Sequence, residues 1–292
     1  MIVDVIIRQL RDGDVVLGVA LGMLLAWFLY QAALLAGARP PARLDSVFRM
    51  TWQGAVVLGL EQAYELARGV IPQASGAAWI NAYRILDFEW SHGFFVESRV
   101  EHFFLQFGAL MNAIDAFYIV GHVGVTLGAL LWLYLYRRDT YLFMRNMLMM
   151  TTAIALVVFY VFPTAPPRLL LQYGFVDPLE LHHIVSAGGS QPGSYTYDPY
   201  AAMPSLHVVY ALLAAWALFR AVQNPWARVL IVAYPLAMIA TVIISANHWL
   251  LDVAGAFITV AIARGALAGL TILRENAGPP ISAFLPARTV RQ

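Results

Sequence analysis

The chain has 292 residues, 61% hydrophobic and only 12% charged, with a mean hydropathy of +0.68 and a formal net charge of +1. Soluble domains carry roughly 25% charged residues. This composition therefore excludes a disordered chain and argues for an integral membrane protein rather than a soluble globule, and the near-zero charge points away from nucleic acid. There is no cysteine, and all 18 basic side chains are arginine. Disulfides, a thiolate nucleophile, Cys-bound zinc, a lysine Schiff base and a P-loop lysine are thereby ruled out.

A membrane span needs about 20 apolar residues. Residues 15–36 form the first. Their length and the acidic residues before them predict a retained anchor rather than a signal peptide. Residues 51–70 are a weaker span because they carry Glu61 and Glu65. Residues 79–104 mix charges with Trp79, Tyr83, Phe88, Trp90, Phe94, Phe95, Phe103 and Phe104, which suits one or two helices lying in the interface. Further spans are expected at 107–136, 146–162, 204–219, 227–246 and 249–263. Residues 164–203 read as a Pro/Gly/Tyr-rich loop. The expected fold class is all-α, a polytopic transmembrane helical bundle of six or seven spans with interfacial helices. Residues 1–106 hold the anchor spans and interfacial helices, 107–274 the transmembrane core, and 275–292 a tail.

Arginine placement sets the orientation. With seven spans, the side reached after Tyr136 holds twelve arginines and the other six: Arg8, Arg11, Arg68, Arg84, Arg99 and Arg168. The richer side is expected to be cytoplasmic. With short loops and no targeting segment, a bacterial inner membrane is the expected location.

Three polar islands fall on the arginine-poor side. They are Phe162-Pro163-Thr164-Ala165-Pro166-Pro167-Arg168, Met203-Pro204-Ser205-Leu206-His207, and Asn247-His248-Trp249-Leu250-Leu251-Asp252. Polar groups at membrane depth are costly and point to function. His248 and Asp252 are four apart, so on a helix the carboxylate can hold one imidazole nitrogen and leave the other as nucleophile or base. His207 offers a second imidazole for acid–base work. Pro204 suits the first turn of a helix, whose N–H groups with the Ser205 hydroxyl make an anion site. Arg168 adds a donor fork matched to phosphate oxygens. This set describes phosphoryl transfer through a phosphohistidine, with no metal or other cofactor required. The competing readings are a buried His–Asp pair that only joins helices, an interfacial arginine, and a two-His, one-Asp metal site. The metal site would leave Ser205 and Arg168 unexplained.

At these residues the sequence resembles the type 2 phosphatidic acid phosphatase superfamily. Its pattern is Lys-(six residues)-Arg-Pro, then Pro-Ser-Gly-His, then Ser-Arg-(five residues)-His-(three residues)-Asp. The resemblance implies His248 as nucleophile, Asp252 as its orienting carboxylate and His207 as the acid for the leaving oxygen. Arg168 and Ser205 would hold the phosphoryl oxygens. Here the lysine position is Val161, the residue after Arg168 is Leu169, the glycine is Leu206 and the second arginine position is Val242. This altered set looks more like the inositol phosphorylceramide synthase branch, whose members move a phospho-headgroup between lipids. A phosphodiester carries one negative charge and manages with fewer cations than a dianionic monoester, which agrees with that branch.

The long third span carries Asn112, Asp115, Tyr118 and His122 at spacings that place them on one helical face. They are either a wall for a headgroup or acceptor hydroxyl, or an internal network locking helices. Asn247 is a further candidate for binding substrate. Tyr160, one turn before Thr164, points either into the site or to the interface. Glu61, Glu65 and Arg68 are expected to pair structurally. His182-His183 and residues 195–200 could form a lid over the site. The expected activity is lipid phosphoryl or phospho-headgroup transfer, phosphoinositol included, from a lipid donor to a lipid or polyol acceptor. A lipid phosphate or prenyl pyrophosphate phosphatase is the alternative, and a transporter or channel the alternative of another class. The sequence does not give the oligomeric state.

Overall fold

The computed structural model describes residues 15–70, 75–176 and 200–276. Those residues are almost wholly helical, with one isolated parallel bridge between Thr164 and Ala201. We number the helices α1 Val15–Leu35, α2 Ala42–Val70, α3 Ser75–Ser91, α4 Glu97–Leu105, α5 Gly108–Tyr136, α6 Arg138–Val161, α7 Leu206–Ala221, α8 Pro225–Ile244 and α9 Leu250–Asn276. A π-helical turn, Phe117–Gly121, interrupts α5, and two short 3-10 turns, Pro167–Leu169 and Leu171–Tyr173, follow α6.

Among the described residues five helices are long and apolar enough to cross a membrane: α1 from Gly18, α5, α6, α8 and α9 to Leu273. The shorter apolar α7 joins them, and α2 does not meet the same measure. The protein is an all-α polytopic bundle. The aromatic segment expected in the interface forms two helices, α3 and α4, neither of them among the spanning set.

Helix α7 is the hub, packed against α5, α6, α8 and α9. Its sequence explains why. Ala211, Ala214, Ala217 and Ala221 recur at helical spacing and are all buried. Small residues let neighbouring backbones approach closely, and this is how helices associate where lipid removes the hydrophobic incentive. The outer helices reverse the pattern, exposing Val120, Val123, Leu127 and Leu131 on α5, Leu230 and Leu236 on α8, and Phe257 and Ile258 on α9. An apolar surface of that extent belongs against hydrocarbon rather than water. α1 and α2 pair with each other and touch the bundle through α6.

Candidate active site

The three polar islands meet at one end of the bundle, the first two at the start and the end of the connection from α6 to α7 and the third in the short turn between α8 and α9. Ser245 ends α8, and Ala246 adopts a left-handed φ of +48°. The Ala246 N–H donates to the Ile243 carbonyl and the Asn247 N–H to the Val242 carbonyl, each at 3.1 Å. That pair of bonds is a Schellman stop, whose left-handed position usually holds glycine. Alanine there costs about 1–2 kcal/mol. Its methyl is fully buried beside Ala78, Ala82 and Trp249, and its carbonyl accepts the Arg168 N–H at 2.8 Å. The stop throws His248 into the bundle end before α9 begins at Leu250. His248 and Asp252 were expected as neighbours on one helix. Instead His248 stands in the turn and Asp252 in the first turn of α9, and the pair still closes to 3.2 Å.

The hydrogen bonds of His248 define its tautomer. Nδ1 lies 2.9 Å from the Ala202 carbonyl, a group that can only accept. Nδ1 therefore carries the proton and also faces Asp252 Oδ2. Asp252 is held in turn by the Trp249 N–H at 2.9 Å, and the Trp249 indole donates to the Ala165 carbonyl at the same distance. Nε2 is left with its lone pair, buried and without a hydrogen-bond partner in the protein. A neutral imidazole held by one nitrogen with the other unengaged is the state a nitrogen nucleophile needs.

Arg168 lies in the first 3-10 turn and is 5% exposed. Its Nε donates to Asn247 Oδ1 at 2.9 Å, while Asn247 Nδ2 donates to Ser245 Oγ at 2.8 Å. Asn247, a candidate for touching substrate, is thus engaged in aiming the guanidinium. Ser205 is the N-cap of α7, its Oγ accepting the Val208 N–H at 3.5 Å, and its own N–H donates to the Asp252 carbonyl at 3.2 Å. Pro204 therefore precedes the cap instead of occupying the first helical turn. The Met203–Pro204 peptide is cis.

His207 follows Ser205 in the first turn of α7, its ring centroid 5.7 Å from that of His248. Tyr118 stacks on His207 at 4.0 Å and His122 lies at 4.2 Å. Tyr118 lies in the π-helical turn of α5, a deformation frequent at functional sites, and His122 directly follows it. The His122 Nδ1–H donates to the Tyr118 carbonyl at 3.0 Å. Asp115 is fully buried, whereas Asn112 is exposed. The single polar face expected on this helix therefore does not extend to Asn112. Tyr160 is exposed and points outward, as does Val161, while Val242 is buried in the core. Neither position brings a cation to the site.

The structure also gathers three side chains that sequence reasoning missed. Glu97 Oε1 accepts the Leu250 N–H at 2.8 Å, and Glu89 Oε1 the Leu251 N–H at 2.8 Å. Glu101 Oε2 accepts the Val176 N–H at 3.1 Å. All three carboxyl groups are buried. Burial, together with Glu97 alongside, pushes the Glu89 carboxyl up to about 9. The available signal was a set of acidic residues, Glu89, Glu97 and Glu101 among them, inside an aromatic segment, which plain interfacial anchoring does not need.

Among the described residues no group of three or more His, Asp or Glu side chains is arranged to hold a metal ion. His182, His183 and residues 195–199 of the expected lid lie outside the described residues.

A family model of the PAP2 superfamily matches residues 83–266, which include α3 from Tyr83 and every island of the site. No curated protein and no solved structure matches the chain. With a match over more than half its length, the chain belongs to the PAP2 superfamily, whose functions are of the lipid phosphatase and phosphotransferase type.

Proposed function

We propose that the protein transfers a phospho-headgroup from a phosphodiester lipid to an acceptor hydroxyl by way of a phosphohistidine at His248. The observation that carries this reading is the His248 imidazole, with Nδ1–H committed to Ala202 and Asp252 and Nε2 buried and unengaged. In the first half-reaction the Nε2 lone pair attacks phosphorus. A P–N bond forms, the P–O bond to the leaving group breaks, and His207 protonates the departing oxygen. The His248 ring becomes cationic, and Asp252 with the Ala202 carbonyl stabilises the Nδ1–H that remains. In the second half the acceptor oxygen attacks phosphorus as the P–N bond breaks, which returns His248 to its neutral state, and the acceptor's proton passes to His207, regenerating the protonated ring that began the cycle. Arg168, aimed by Asn247, offers the donor fork for the phosphoryl oxygens.

The preference for a diester rests on charge. Positions 161 and 242 supply no cation, the first facing outward and the second packed in the core. A monoester dianion would gain more from such cations than a diester would. Tyr118 and His122 pack on the His207 ring, which supports a role for them beside the acceptor hydroxyl. The polar groups gather at one end of the bundle rather than along its depth, which speaks against a transport pathway. The arginine imbalance read from the sequence supports a non-cytoplasmic position for that end, and a bacterial inner membrane is the location we propose.

The test uses purified protein, phosphatidylinositol and a mixed lipid extract, with products read by mass spectrometry and His248→Ala as control. The expected product is a new lipid carrying phosphoinositol, absent from the variant. Inositol phosphate without a new lipid would make water the acceptor and overturn transfer. No turnover of the diester would overturn the donor class and favour lipid monophosphates or pyrophosphates.

A further inference from the structure

The first turn of α9 begins two residues after His248, and the N–H groups of Trp249, Leu250 and Leu251 at its entrance are claimed by three carboxyl groups from three helices. Trp249 donates to Asp252, Leu250 to Glu97 and Leu251 to Glu89. Such N–H groups have no partner within their own helix and form a natural anion site. In a phosphoryl-transfer enzyme that site would compete for the substrate's phosphate. Here it is closed from within, and α3 and α4 are tied to the nucleophile's own backbone.

We propose that Glu89 and Glu97 are positioning residues for His248, a carboxyl pair that caps α9 and fixes the turn from which the imidazole projects. The inference rests on the assignment of His248 as nucleophile. The geometry assigns the two carboxyls different states. Glu97 accepts at both oxygens, from Leu250 N–H at 2.8 Å and from Val96 N–H at 2.9 Å, as a carboxylate does. Glu89 accepts only at Oε1, and its Oε2 is buried with no donor facing it. A protonated Glu89 removes that deficit by donating to Glu97. The charged groups bearing on Glu89 are Glu97 from α4 and Asp252 from α9, both acids, so a third negative charge there is disfavoured and the Glu89 proton persists to about pH 9. Glu101, one turn beyond Glu97, is directed to Val176 instead. Glu89 is thus neutral below that pH and charged above it.

This arrangement makes Gln a substitute for one member and not for the other. Glu89→Gln keeps an acceptor for Leu251 and a donor for Glu97, and it cannot ionise. Glu97→Gln turns an amide NH2 toward backbone N–H groups, leaving a donor facing a donor. Misplacing a reacting group by about 1 Å can cost on the order of 100-fold, and loss of a supporting partner around a site typically costs about 10–100-fold.

The experiment measures kcat, KM and the pH profile of Glu89→Ala, Glu89→Gln and Glu97→Gln in the full-length protein, with His248→Ala in parallel. At neutral pH, Glu89→Ala and Glu97→Gln are expected to lose roughly 10–100-fold in kcat with KM little changed, and Glu89→Gln to recover the loss of Glu89→Ala. The wild type is expected to lose activity above about pH 9, and Glu89→Gln to lack that alkaline limb. Equal activity in Glu97→Gln and wild type, or the same alkaline limb in wild type and Glu89→Gln, would overturn the proposal. Failure of Glu89→Gln to restore activity would do the same. Retained turnover in His248→Ala would overturn the nucleophile assignment itself, a separate outcome from any of these.

Discussion

The two ends of the bundle use polar side chains in opposite ways. At the catalytic end, Arg168, His248, Asp252, Glu89 and Glu97 are buried, and the bonds they make are largely to backbone groups of other segments. At the other end Arg49 pairs with Asp45 one turn away, with more than half of the Arg49 side chain exposed. Arg145 reaches Gln53 on α2 and Arg228 the Val222 carbonyl, both at partly exposed positions. Arg138 lies over the Tyr134 ring at 4.3 Å. A buried polar group is costly unless each of its atoms is matched, so its partners fix its position closely. An exposed ion pair is screened and contributes about 0–1 kcal/mol. The same residue types therefore build a rigid site at one end and a solvated rim at the other.

Substitutions at the two ends should separate accordingly. The largest effect is expected from Arg168→Ala, a loss of roughly 100-fold or more in kcat/KM, because it removes the donor fork and leaves Asn247 unmatched. Asn247→Ala should cost less alone, and almost nothing further in the Arg168→Ala background. A double-mutant cycle on kcat/KM checks this, and simple additivity of the two losses would contradict the aiming role. Next comes Gly121→Ala. A methyl there would lie 2.5 Å from the Phe117 ring, which packs edge-on against Tyr234. Relief by shifting Phe117 should cost about 1–3 kcal/mol of stability and move the adjoining Tyr118 off His207. Activity should therefore fall more than thermal stability alone explains, and unchanged kcat with a normal unfolding temperature would show that the π-helical turn does not set this contact. The smallest effect is expected from Arg49→Ala at the exposed end, within about 0.5 kcal/mol in stability and with kcat/KM unchanged.

Much of the site is legible in the sequence because chain direction alone brings the three islands together. The fourth expected span leaves on one side, the loop stays there, and the following spans enter from and return to it. The hydrogen bonds Arg168 to Ala246, Ser205 to Asp252 and His248 to Ala202 are the physical form of that convergence. Side-chain direction was less accessible. A spacing of four suggested that His248 and Asp252 share a helix, but a left-handed alanine ends α8 and delivers His248 from a turn, and nothing in the residue type alanine announces a positive φ. On α5 the spacing that groups Asp115, Tyr118 and His122 fails for Asn112, which is exposed although it lies three residues before the buried Asp115. Glu89 and Glu97 lie more than 150 residues before the Leu251 and Leu250 N–H groups they accept from on α9. Their neighbours Trp90, Phe94 and Phe95 read as interfacial anchors, and only the tertiary fold turns the two carboxyl groups inward.

The most direct measurement of the central claim is capture of the covalent intermediate. Purified protein is mixed with phosphatidylinositol, quenched in base, which preserves a phosphorus–nitrogen bond, then digested and mapped by mass spectrometry. The account predicts a phosphoinositol adduct on the peptide containing His248, at Nε2, formed within one turnover, lost when acceptor lipid is added before the quench, and absent from His248→Ala. Product formation at the wild-type rate with no adduct at His248, or an adduct on His207 in its place, would contradict it.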